Sequence, residues 1–162
     1  MYSNTGIEGY TRMKKIFIMA VVFLFSLSAF AQTADYVTEM LNTERADYAQ
    51  VSYLSAVCQG LVDENATYDT AFSLLKKKGQ LPSGADETAE VSLGNLSYVM
   101  SKLWTIHGGL MFRLTNGSAR YAFRQLKVDG IIPPDADPSR KISGTDVLNM
   151  YTACQNRYGS EE

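Results

Sequence analysis

The sequence predicts an all-α domain made of tandem helix–loop–helix repeats with a period of 51 residues, and three observations carry that expectation. Residues 71–100 lie without a gap on 122–151, with nine identities in thirty positions: Ala71/Ala122, Phe72/Phe123, Leu75/Leu126, Lys76/Lys127, Gly79/Gly130, Pro82/Pro133, Ala85/Ala136, Asp86/Asp137 and Ser92/Ser143. Average residue frequencies would give roughly two identities by chance, so the period reads as an internal repeat. Apolar residues recur at helical spacing, as in Ala71, Phe72 and Leu75 or Leu96, Val99 and Met100. Glycine, proline and serine stand at matching offsets in both copies, where helices should stop and restart.

In chain order, residues 1–31 read as a short upstream extension followed by a secretory signal. Met13-Lys14-Lys15 supplies the charged start, Ile16 to Phe30 the apolar core, and Ala29-Phe30-Ala31 the small-residue cleavage site before Gln32. An uncleaved N-terminal anchor is the alternative reading. No cysteine follows the cleavage site, so no lipid attachment of the bacterial lipoprotein kind is expected. The remaining 131 residues suffice for one compact domain, 32–158, with a short disordered tail at 159–162. From Gln32 onward there are 12 Lys plus Arg against 16 Asp plus Glu. That mild acidity argues against nucleic acid as a partner, which would leave a basic footprint.

The first segment, 37–61, reads as a degenerate copy. Val37, Met40 and Leu41 form one apolar set, and Thr43 is placed to cap a second helix carrying Tyr48, Val51, Leu54, Ser55 and Cys58. The next copy, 66–104, turns Tyr68, Ala71, Phe72, Leu74 and Leu75 inward and places Lys76, Lys77 and Lys78 in the last turn, where positive charge suits the helix dipole. Gly79 can take the positive φ that ends a helix, Leu81 folds back after it, and Pro82 forbids continuation. Ser92 then caps a helix with Leu96, Val99, Met100 and Leu103 as its stripe. Copy 119–155 repeats each device with Gly130, Ile132, Pro133 and Ser143, the last with Asp146 in a capping-box-like arrangement. Between the copies, Gly108-Gly109 should break the helix, Leu110 to Leu114 reads as a short strand, and Asn116-Gly117 as a turn. This connection either covers the core or presents Leu110, Met111 and Phe112 as a partner surface.

The segments LKVDGIIPPDADPSRKISGTDVLNMY and LLKKKGQLPSGADETAEVSLGNLSYVM join a helix, an apolar turn, a Pro/Asp-rich loop and a second capped helix in a unit of about fifty residues. The unit resembles the S-layer homology module, and TERADYA at 43–49 is similar to that family's Thr-Arg-Ala-Glu opening. The resemblance implies three copies in pseudo-threefold arrangement, their second helices forming a central bundle, and attachment of a secreted protein to cell-wall polysaccharide or peptidoglycan. The family's glycan-contacting Thr-Arg pair is replaced here by Leu93-Gly94 and Gly144-Thr145. The same arrangement would bring Cys58 and Cys154 together at the ends of the first and last second-type helices, where an oxidising compartment could join them. Two buried thiols are the alternative.

Candidates for chemistry are few. His107 is the only histidine, with no cysteine or second histidine beside it, so neither a zinc site nor a histidine-based triad is expected. Asp86, Asp135 and Asp137 sit in the proline-bearing loops and read first as turn formers, with calcium binding or an acid–base pair as alternatives. No catalytic residue, metal or cofactor is therefore expected. The one unusual patch is Arg113, Arg120, Arg124 and Lys127, with Tyr121, in a stretch free of acidic residues. Arg120, Arg124 and Lys127 share a helix face, and cations beside an aromatic ring suit an anionic glycan, a peptidoglycan carboxylate or an acidic protein. A solvated helix face is the alternative. The expected function is a non-catalytic exported module, periplasmic or associated with the bacterial cell envelope, that binds cell-wall glycan or peptidoglycan and does not span the membrane after signal cleavage. The alternative is a protein-interaction subunit of a periplasmic or outer-membrane-associated assembly, and after it a glycan-active enzyme.

Overall fold

A computed structural model describes residues 35–159. The predicted signal segment, the predicted start of the mature chain at Gln32 and all of the predicted tail except Gly159 lie outside the described residues. Within them the regular structure is helical: α1 (35–42), α2 (Tyr48–Cys58), α3 (Tyr68–Lys77), α4 (Leu93–Leu103), α5 (Leu110–Leu114), α6 (Ala119–Val128) and α7 (Gly144–Tyr158). The extended backbone described is limited to two isolated bridges, Asp47 with Glu90 and Ser92 with Lys141. Among the described residues no helix is long and apolar enough to cross a membrane.

The helices form where local chemistry favours them. In α3 the buried face is Ala71, Phe72 and Leu75; in α6, starting 51 residues later and equally long, it is Ala122, Phe123 and Leu126. Both end the same way. Gly79 and Gly130 take positive φ, and the next amide donates back to the carbonyl of Leu75 or Leu126, which satisfies carbonyls the helix end would otherwise leave bare. Leu81 and Ile132 then return to the core. The lysine of the last turn completes each hairpin. Lys76 Nζ lies 5.2 Å from the centre of the Phe72 ring and donates to the Ala85 carbonyl at 3.3 Å. Lys127 Nζ lies 4.7 Å from the Phe123 ring and donates to Pro134 and Ala136, both at 2.8 Å. In each loop an aspartate closes a tight turn: Asp86 accepts from the Thr88 amide and hydroxyl, Asp137 from those of Ser139.

The helices α2, α4 and α7 start from a common centre. Ala46, Val91 and Ile142, each immediately before an N-cap, are wholly buried. The Ala46 amide donates to Ile142 and the Val91 amide to Ala46, both at 2.8 Å. The first amide of each helix donates to the next loop round: Tyr48 to Ala89 at 3.2 Å, Leu93 to Arg140 at 2.9 Å, and Gly144 to Thr43 at 2.9 Å. Orphan N–H groups at three helix starts are thus satisfied by one another's loops. Position 144 needs a glycine, since a Cβ there would overlap the Met40 carbonyl of α1. Outer helices pack against this centre, α3 on α2 and α6 on α4. Leu75, Leu96, Met100, Leu126, Val51, Val99 and Val147 fill the interior.

Three local expectations are corrected. The cap of α2 is Asp47, whose carboxylate accepts from the Gln50 amide while the Gln50 side chain accepts from the Asp47 amide. Thr43 instead closes α1, its hydroxyl donating to Glu39, because the chain needs extended residues after it to reach the buried Ala46. In α1 only Met40 is buried, while Val37 and Leu41 are exposed. Leu110–Leu114 is a helix rather than a strand, since its amides find local acceptors, Arg113 to Gly109 and Thr115 to Met111. The preceding helix already ends at Trp104, five residues before Gly109.

Candidate functional site

The three helices that start together also finish at one place, joined there by α6. The C-cap residues Gln59 of α2, Trp104 of α4, Asp129 of α6 and Gly159 of α7 all line one open cleft of about 810 Å³. Four helix C-termini therefore meet at the same space, each helix end carrying the equivalent of roughly half a negative charge. Trp104 stops α4 because Thr105 takes a positive φ, and its half-buried indole packs edge-on against Tyr151, with ring centres 5.3 Å apart. The exposed His107 and Arg157 stand on the walls.

The polar side chains are held in place. Asp129 accepts from both sides: Gln125 Nε2 donates to its two oxygens at 3.1 Å and the Tyr158 hydroxyl donates at 2.6 Å. Burial, together with that carboxylate, pushes the Tyr158 hydroxyl far above the usual phenol range, so it keeps its proton and remains the donor. Gln59 is fixed by a reciprocal amide pair with Gln80, at 3.0 and 2.8 Å. The result is a hydrogen-bonded polar floor beside an aromatic ring, with the His107 imidazole and the Arg157 guanidinium on its walls. Such a surface is suited to hydroxyls, amines and sugar-ring faces. Cys58 also lines the cleft, but no hydrogen bond joins it to His107. Among the described residues no group of three or more His, Cys, Asp or Glu side chains is placed to hold a metal ion.

Cys58 and Cys154 are free thiols, without the possible bridge between them, and only one of the two is buried. Cys58 is exposed at the end of α2, whereas Cys154 is enclosed on α7, where burial pushes its thiol up to about 12. The predicted cationic patch is only partly assembled. Arg120 and Arg124 are exposed on α6, with the Arg124 guanidinium 5.9 Å from the centre of the Tyr121 ring, and Arg113 is exposed on α5. Lys127 is drawn away from that face to hold the following loop. Leu110 and Met111 are exposed as expected of a surface, but Phe112 turns beneath them against Gly108 and Gly117, where a Cβ would meet its ring. Leu114 takes its place outside.

Sequence reasoning missed the cleft because its walls come from residues a hundred positions apart. The available signal was the single tryptophan and the single histidine standing just past one helix end. In comparisons with known proteins, the chain matches no family model and no curated protein.

Proposed function

We propose that this chain is a non-catalytic, exported module of the cell envelope that binds cell-wall glycan or peptidoglycan, and that the cleft at the C-terminal ends of the helices is where it does so. The convergence of four helix C-termini around Trp104 carries the reading. The Asp129 carboxylate and the negative ends of the helix dipoles favour sugar hydroxyls and amines, while the indole offers a ring face for stacking. Kinship with S-layer homology modules is part of the proposal. The 51-residue offset between α3–α4 and α6–α7, and the cycle of hydrogen bonds among Tyr48, Leu93 and Gly144, support a three-unit body of that kind.

The test is co-sedimentation with purified peptidoglycan. The wild-type protein is expected in the pellet. Trp104→Ala, with its fold checked by circular dichroism, should lower retention by about fivefold, as the loss of one stacking contact worth about 1 kcal/mol implies. Gln155→Ala, on an exposed part of the wall, should lower it less. Wild-type protein left wholly in the supernatant overturns the proposal.

A further inference from the structure

We propose that α5 and the exposed face of α6 form a docking surface for a membrane rich in anionic phospholipid. This site adjoins the cleft, sharing His107 with it, and does not depend on its ligand. Helix α5 buries none of its residues: Leu110 is 72 % exposed, Leu114 70 % and Met111 49 %. They are held outward by what lies underneath. Phe112 is wedged over Gly108 and Gly117, and the Thr115 hydroxyl ties the helix end to the Met111 carbonyl at 2.8 Å. A rigid knuckle with three bare apolar side chains is therefore presented to the outside.

Its charge surroundings choose the partner. From Val91 to Val128 the sequence contains no aspartate or glutamate, yet it carries Lys102, Arg113, Arg120, Arg124 and Lys127, in a chain whose net charge is −2. Lys127 is spent on its loop, but Arg113, Arg120 and Arg124 are exposed. The Lys102 ammonium is brought to the knuckle by donating to the Asn116 carbonyl at 2.8 Å. Lys102 and Arg113, with Asn116 and His107, also line a small pocket of about 220 Å³ beside α5. Leucine and methionine entering the acyl boundary, with guanidinium and ammonium groups at phosphate depth, is how interfacial helices bind anionic bilayers. The pocket gives one phosphodiester a seat between two cations.

The experiment is vesicle co-sedimentation of the protein isolated from cells expressing the full chain. It should partition onto vesicles of equal parts phosphatidylglycerol and phosphatidylcholine, and much less onto phosphatidylcholine alone. The triple variant Arg113→Gln, Arg120→Gln, Arg124→Gln should weaken partitioning about a hundredfold, at roughly fivefold per cation. Leu110→Ser with Leu114→Ser should weaken it about tenfold or more. Should the α5 variant misfold, Arg120→Gln with Arg124→Gln on the solvent face of α6 gives the same readout, a loss of about 25-fold. Equal binding to both vesicle types, or binding unchanged in the charge variants, overturns the proposal. So does a protein crosslinked through α5 in cells when the purified chain ignores vesicles, because the knuckle then belongs to a protein partner.

Discussion

The hairpins α3–α4 and α6–α7 are built from the same devices, and their differences separate scaffold from site. Lys76 and Lys127 lie over Phe72 and Phe123 and tie down the same loop; Gly79 and Gly130 end the outer helices; Ser92 and Ser143 cap the inner ones. Each of these pairs makes contacts within the molecule. The candidate sites use positions the two copies do not share. Trp104 stands opposite Gln155, and α5 with its bare leucines follows α4, while α7 runs four residues longer than α4. Identity between the copies thus marks what holds each hairpin together, and the candidate sites draw on positions where they diverge.

The comparison breaks most severely in the core. Leu75 and Leu126 are both wholly buried on matching turns. Truncating either to alanine should cost about 2–5 kcal/mol, through lost transfer energy and the cavity left behind. The costs should agree within about 1 kcal/mol if the two environments are equivalent. Urea unfolding of Leu75→Ala and Leu126→Ala measures both, and a gap of more than about 2 kcal/mol would show that the hairpins are packed on different principles.

A smaller effect lies in the bridging lysines. Lys127 donates to two carbonyls and Lys76 to one. Replacement by methionine keeps the stem over the ring and removes only the ammonium. Lys76→Met should cost about 0.5–1 kcal/mol and Lys127→Met about twice that. Equal losses would mean that the ring contact, and not the carbonyls, holds the loop.

The same contrast explains what could be read from the sequence. Helix faces, glycine stops and serine caps of the two hairpins are local devices, with causes that lie within a few residues, and periodicity exposes them. The cap of α2 was misplaced because Thr43 and Asp47 are both good caps, and the choice falls to a distant fact, the burial of Ala46 between Ile142 and Val91. Leu110 to Leu114 has too few residues for its period to tell helix from strand. The cleft was illegible for a deeper reason: Gln59, Trp104 and Tyr158 meet because α2, α4 and α7 start from one centre and end at one cleft, and α6, packed on α4, adds Asp129. Lys127 was assigned to a ligand because a shared helix face says nothing about where a long side chain bends.

The subtlest difference between the hairpins is a charge. The third residue of α7 is Asp146, and the matching residue of α4 is Asn95. Burial acts to raise the Asp146 carboxyl, but the hydrogen bonds from the Arg140 guanidinium and the Ser143 amide and hydroxyl outweigh it, and the group sits below the usual carboxylate range. A carboxyl with a depressed folded-state pKa adds stability that is present above its unfolded value, near about 3.9. That stability is lost as the pH falls through the folded value. Asp146→Asn should therefore weaken the protein at neutral pH by a few tenths to about 1 kcal/mol, the capping box and a largely exposed ion pair being lost together. Once the pH has fallen below the folded value, wild type and variant should converge, because the wild-type carboxyl is then protonated too. Asp137 also sits low, held by the Ser139 amide and hydroxyl, but it is present in both proteins and cancels in the difference. Denaturant midpoints across the acid range test this, and curves that stay parallel would show that the charge on Asp146 contributes nothing to the start of α7.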